Sequence, residues 1–242
     1  RFCSSRPLTM EAETAAPIEE MGNLLQNVAP ARLFEEINKL FLTGAGWHAT
    51  ASLVHYGLFQ QLFPDVPVEI GTDSTVSLPP VLDQALRNTD ERVARGLPVT
   101  PGFLFAALLW EPLKQRADHH RGKGLNRTEA IIEASEEVIA RQVRYVAIPR
   151  RFSAMTRTIW LLQPRFERTR GKRALKLLEE RKFRAAYDFL LLRRREEPEL
   201  AELADWWTRA QTLDEETLRA EVTPGSRPAA AGGGTGTGGR GG

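Results

Sequence analysis

The chain has 242 residues, 42% of them apolar, with 33 Lys and Arg against 31 Asp and Glu and a single cysteine, Cys3. That length holds one large or two small domains, and one thiol excludes an internal disulfide framework and fits a reducing compartment. The near-neutral total conceals a segregation: 17 of the 33 bases but only 4 of the 31 acids lie between Arg141 and Arg195, so this segment is strongly cationic and the remainder acidic.

Helix signals dominate the order of elements. Pro17 sits where a first turn would begin, ahead of Ile18, Met21, Leu24, Leu25 and Val28 at helical spacing. Pro30 opens a second helix with Leu33, Phe34, Ile37, Leu40 and Phe41 on one side, and Gly44 and Gly46 end it. A third helix is predicted from Trp47 to Leu62. Residues Pro64 to Pro80 are rich in Pro, Gly, Asp, Ser and Thr and read as a loop. Three helices follow near 80–95, 101–118 and 127–148. The last carries an inward stripe of Ile131, Ile132, Ser135, Val138, Ile139, Gln142, Val143 and Val146 after a polar start at Asn126-Arg127-Thr128-Glu129. Further helices fit Phe152–Gln163, Lys172–Glu179, Phe183–Arg195 and Glu199–Gln211. The expected fold is all-α, a multi-helix bundle array of about ten helices. The Gly-rich end from about Val222 cannot bury enough apolar surface to fold and is expected to be a disordered tail. The domain expectation is 1–64, 65–148 as a helical body, 149–221 as a basic C-terminal region, and 222–242 as the tail.

The longest apolar run, Phe103 to Trp110, is too short to span a bilayer, and Arg1 to Arg6 show no signal-peptide core. The first residue is not Met, so the expectation is a processed chain or, in preference, a portion of a longer protein. Neither a nucleophile elbow nor a phosphate-cradling Walker sequence occurs, and no Asp-x-Asp pair sits on a strand to hold magnesium. The histidines, His48, His55, His119 and His120, lack ligand-spaced partners for zinc. No catalytic or metal-ligating residue is assigned. The basic segment is the feature that carries chemistry. Arginine forks match two phosphate oxygens, so Arg150, Arg151, Arg157, Arg165, Arg168, Arg170, Lys172 and Arg173 are the candidates for backbone contacts to a polyanion. The interleaved Phe152, Trp160, Phe166, Phe183 and Tyr187 could stack bases, but their helical spacing favours core packing.

Several long words occur in order. They are Ile148-Pro149-Arg150-Arg151-Phe152, Arg157-Thr158-Ile159-Trp160-Leu161-Leu162-Gln163, Arg170-Gly171-Lys172-Arg173-Ala174 and Phe183-Arg184-Ala185-Ala186-Tyr187-Asp188. Upstream stand Pro30-Ala31-Arg32-Leu33-Phe34, Leu58 to Pro64, the run Phe103 to Trp110, and further on the pair Trp206-Trp207. This succession, over about residues 15 to 211, resembles the C-terminal region of bacterial poly(A) polymerases, class II nucleotidyltransferases related to CCA-adding enzymes. The resemblance implies an RNA-binding helical neck, body and leg of an enzyme that adds AMP from ATP to RNA 3′ ends. ATP and Mg²⁺ are implied for the whole enzyme, held by a catalytic head in cis that these residues do not contain. Arg1-Phe2 resembles the close of the family's nucleotide-recognition motif, which makes Arg1 the candidate nucleotide contact. The tail departs from the family's basic one, with only Arg227 and Arg240. The implied partner is the single-stranded 3′ end of RNA in the cytoplasm, with no membrane role and no specificity for DNA. The alternatives are a stand-alone helical RNA-binding or protein-interaction module, and a CCA-adding relative.

Overall fold

The computed structural model of the chain describes residues 11–223. Arg1 and the tail beyond Thr223 lie outside the described residues. Among those described, thirteen α-helices are joined by short 3₁₀ turns and one small hairpin.

The first helix, α1 (Ala12–Met21), encloses Pro17 instead of starting at it, and gives way to a 3₁₀ stretch over Gly22–Asn27. Helix α2 (Pro30–Phe41) begins on Pro30, whose ring presets φ where no N–H is needed. The predicted Trp47–Leu62 helix is two, α3 (Gly46–His55) and α4 (Phe59–Leu62), separated at Gly57 with φ +67°. Glycine adopts that left-handed turn without steric cost. The loop that follows contains a two-stranded antiparallel hairpin, β1 (Glu69–Ile70) and β2 (Val76–Ser77), with Glu69 opposite Ser77. Helix α5 (Pro80–Ala94) matches expectation. The next predicted helix is again two, α6 (Pro101–Leu108) and α7 (Trp110–Gly122). Pro112 lacks the N–H that would bond the carbonyl of Leu108, so the ladder cannot continue.

Helix α8 (Arg127–Gln142) starts on a capping box. The Asn126 side chain accepts from the N–H groups of Thr128 and Glu129 at 3.0 and 3.1 Å, and the Glu129 carboxylate accepts from the Asn126 N–H at 3.2 Å. Its stripe is buried as expected at Ile131, Ser135, Val138, Ile139 and Gln142, but Ile132 is 40% exposed. One residue beyond Ile131, it has rotated about 100° away from the packed face. The cationic segment then forms α9 (Arg150–Leu162), a 3₁₀ turn over Gln163–Glu167, α10 (Lys172–Leu178) and α11 (Phe183–Arg193). After a 3₁₀ turn at Pro198–Leu200 come α12 (Ala201–Ala210) and α13 (Glu215–Val222). Helix α13 has no counterpart among the expected helices. Its start is set by Asp214, whose carboxylate accepts from the Thr217 N–H at 2.9 Å and the Thr217 hydroxyl at 2.8 Å.

The buried side chains gather into two cores. The larger runs from Phe34 to Trp160 and takes in Phe189 and Leu192. The smaller joins Leu162, Phe166, Leu177, Phe183 and Trp207, and reaches Val222. Helix α9 belongs to both. It packs tightly on α6, where a Cβ on Gly102 would stand 3.0 Å from both Met155 Cβ and the Phe152 carbonyl oxygen. Thr156 donates to the Gly102 carbonyl at 2.8 Å and Trp160 Nε1 to the Ala106 carbonyl at 3.0 Å, so this approach leaves no buried polar atom of either side chain unpaired. The N-terminus of α3 is capped from another helix. Asp90 on α5 accepts from the N–H groups of Gly46 at 2.6 Å and Trp47 at 3.0 Å. Asp90→Ala orphans both donors and should cost about 1–3 kcal/mol in urea unfolding; an unchanged midpoint would contradict this role. No helix among the described residues is long and apolar enough to cross a membrane.

Candidate nucleic-acid interface

The two hydrophobic faces of α9 and α11 dictate where the positive charge can go. Trp160, Phe166, Phe183 and Tyr187 are at most 6% exposed. Phe152 stacks on Phe34 with ring centroids 5.8 Å apart. Four of the interleaved aromatics are thus core, and Phe152 is partly buried against it. The basic side chains occupy what these residues leave outside.

Of the eight candidate contacts, six are exposed and form no ion pair among the described residues. Arg150 and Arg151 stand in the first turn of α9, with the Arg151 guanidinium 4.6 Å over the Phe152 ring. Arg168 and Arg170 lie on the connection into α10, and Lys172 and Arg173 open that helix. The other two are committed to carboxylates: Arg157 lies 3.7 Å from Glu136 and Arg165 2.6 Å from Glu180. Across the segment from Arg141 to Arg195 the same division holds. Arg141 binds Asp65, whose hydrogen bond and charge hold its pKa above the ordinary value. Arg184 pairs with Asp188 and Arg194 with Asp205. Arg193 is buried, bonded to Glu197 at 2.6 and 2.9 Å and to Gln163 at 3.1 Å, and lies 5.0 Å over the Trp110 ring. Arg195 donates to the neutral side chain of Gln84. The remaining ten cations, Arg144, Lys176, Arg181 and Lys182 among them, carry no ion pair within the described residues.

Their position on the helices is informative. The first turns of α9 and α10 each hold two basic residues and no acid. Helix α11 follows Lys182, has Arg184 in its first turn, and lacks an acid there too. The helix dipole is positive at that end, so each such cation is disfavoured by about 0.3–1 kcal/mol. Three consecutive helices repeat this costly arrangement. A bound polyanion reverses its sign, because exposed N–H groups and cations then face negative oxygens together. Gly171 fixes one of these starts. At φ +70° and ψ −170° it occupies a region essentially restricted to glycine, and its N–H donates to the Val222 carbonyl at 2.7 Å. That bond ties the Arg170–Arg173 turn to the end of α13.

Chemically, the arrangement can hold phosphates. It presents charge without flat apolar faces or convergent polar groups at these positions, which positions a backbone and reads no sequence. The described residues include no group of three or more His, Cys, Asp or Glu that could hold a metal ion. His48, His55 and His119 are exposed, and His120 lies 3.1 Å from Glu137. Sequence reasoning missed two cations. Arg92 and Arg95, at the end of α5 in the acidic part of the chain, line one groove with Arg181 and Lys182. No linear pattern relates them; only the packing of α5 beside α11 does.

Comparison with known proteins adds to this geometry. Residues 123–234 match the family model described as polymerase A arginine-rich C-terminus, and residues 7–69 the one described as probable RNA and SrmB-binding site of polymerase A. The chain is 41% identical over 210 residues to Poly(A) polymerase I of Escherichia coli O157:H7, covering 86% of this chain and 45% of that protein. It is 41% identical over 214 residues to the Salmonella typhi enzyme of the same name, covering 87% and 46%. Against the Haemophilus influenzae enzyme of that name it is 38% identical over 209 residues, covering 86% and 46%. The chain therefore spans about half the length of the curated relatives it matches. The arginine-rich match falls on the helices whose exposed starts carry the unpaired cations, and the relatives agree with both models: the chain belongs to the bacterial poly(A) polymerase family.

Proposed function

We propose that these helices hold the RNA strand for a poly(A) polymerase, an enzyme of the cytoplasm that adds AMP from ATP to RNA 3′ ends. The observation that carries this reading is the set of ten cations between Arg144 and Lys182 without an ion pair among the described residues, eight of them at or just before the starts of α9, α10 and α11. Arg150, Arg151, Arg168, Arg170, Lys172 and Arg173 make the phosphate contacts. Arg157 and Arg165 already bind Glu136 and Glu180, and join them only by exchanging those carboxylates for phosphate. Residues 1–64, 65–148 and 149–221 serve as neck-like region, body and basic C-terminal region. Arg1 contributes to nucleotide recognition, and a head in cis performs the transfer.

ATP and Mg²⁺ belong to that transfer. In this reading the chemistry falls to the head. What this chain does is bind and orient a strand whose end is presented elsewhere. Backbone contacts are indifferent to base identity, which suits an enzyme acting on many 3′ ends. Filter binding with a labelled oligoadenylate and a mixed-sequence single strand of equal length tests this. Both should be retained at low salt with dissociation constants within about threefold of each other. Failure to retain either strand at low salt would overturn the reading.

A further inference from the structure

A groove of about 670 Å³ opens between the end of α5, the turn leading into α6, the middle of α9 and the start of α11. Arg92 and Arg95 line one wall, and Arg181, Lys182, Arg184 and Arg195 the other. The acids in its lining are Glu91 and Asp188. Asp188 is taken by Arg184 at 3.0 Å. Arg92 donates to the Pro98 carbonyl at 3.0 and 3.3 Å, and Arg195 to the Gln84 amide oxygen. Both acceptors are neutral, so they orient these guanidinium groups without cancelling their charge. Arg95, Arg181 and Lys182 form no ion pair among the described residues. The floor is different in kind. Leu42, Phe103, Met155 and Leu192 face the groove, with Phe103 edge-on to Phe189 at a centroid distance of 6.1 Å.

We propose that this groove takes a segment of single-stranded RNA, with phosphates against the two cationic walls and bases against the apolar floor. The inference rests on the RNA-holding function above and adds a second track to it. One wall comes from α5, outside the arginine-rich region altogether. A single strand is the occupant that uses both features, because it carries charge along its backbone and a flat apolar face on every base. An acidic peptide would satisfy the walls and leave the floor without flat rings. A duplex would keep its base faces stacked inside and leave the floor equally unused.

The test uses the full chain and a fluorescein-labelled oligoadenylate, read by anisotropy over a salt series. The variant R92Q/R95Q/R181Q/K182Q should bind about tenfold or more weakly at physiological salt, and its slope of log K against log salt should be shallower by about 3. Wild-type chain cross-linked to an RNA containing 4-thiouridine should yield adducts on peptides within 92–103 and 181–195. This readout holds even if the variant fails to fold. A variant that binds as wild type does, or cross-links confined to α10 and its preceding turn, would sink the groove and leave the general RNA function standing. Absence of any binding by the wild-type chain would sink both. Displacement of the RNA by a poly-glutamate peptide of equal charge, at lower concentration than by unlabelled RNA, would overturn the proposal in favour of an acidic peptide.

Discussion

Replacing Trp207 by alanine should cost about 3–5 kcal/mol, the range for removing a fully buried tryptophan, against a total stability on the order of 5–15 kcal/mol for a whole domain. Trp207 is 0% exposed at the centre of the smaller core. Its ring meets Phe166 edge-on at a centroid distance of 5.3 Å and lies 5.7 Å from Phe183. Its indole N–H donates to the Phe166 carbonyl at 2.8 Å, so truncation both opens a cavity and orphans a buried acceptor. That core ties α10, α11, α12 and α13 together, and with them the turn at Gly171. Phenylalanine at the same position keeps most of the packing and loses the hydrogen bond, so Trp207→Phe should cost less. Urea denaturation followed by near-ultraviolet circular dichroism reads both. A loss under about 1 kcal/mol for the alanine variant would contradict the central packing role.

The second large effect separates binding from stability. Neutralising Arg168, Arg170, Lys172 and Arg173 to glutamine should reduce the salt slope for single-stranded RNA by about 3, at about 0.7 for each phosphate no longer neutralised, and weaken binding steeply at low salt. The same variant should unfold no more easily than wild type. None of the four side chains makes an ion pair among the described residues, and Lys172 and Arg173 oppose the dipole of α10. A fold-supporting role predicts the reverse pattern, with stability reduced and affinity kept. Measuring melting and RNA affinity on one preparation discriminates the two.

Much of the helical order is legible from the chain. Pro30 and the Asn126–Glu129 box mark helix starts by local chemistry, and the structure uses both in that way. The burial of Trp160, Phe183 and Tyr187 follows from their spacing. At Gly57 and Pro112 the apolar stripes run on through the breaks, so periodicity suggests one helix where the visible breaker makes two. Helix α13 carries a readable sign, Asp214 three residues before Thr217, without an apolar stripe long enough to draw attention to it. The candidate interface is legible as charge and not as pairing. The Arg157–Glu136 and Arg165–Glu180 pairs join residues on different elements, and Arg141 reaches Asp65 from 76 residues away. Which cations are spent and which are free is decided by tertiary packing. The meeting of Arg92 with Arg181 across a groove is decided in the same way.

The most direct measurement is the affinity of this chain for a single-stranded oligoribonucleotide over a range of salt. If the unpaired cations at the starts of α9, α10 and α11 hold phosphates, log K falls linearly with log salt at a slope of about −4 or steeper, as expected for six or more neutralised phosphates at about 0.7 each. Binding that is absent at low salt, or present with a slope near zero, would contradict the account.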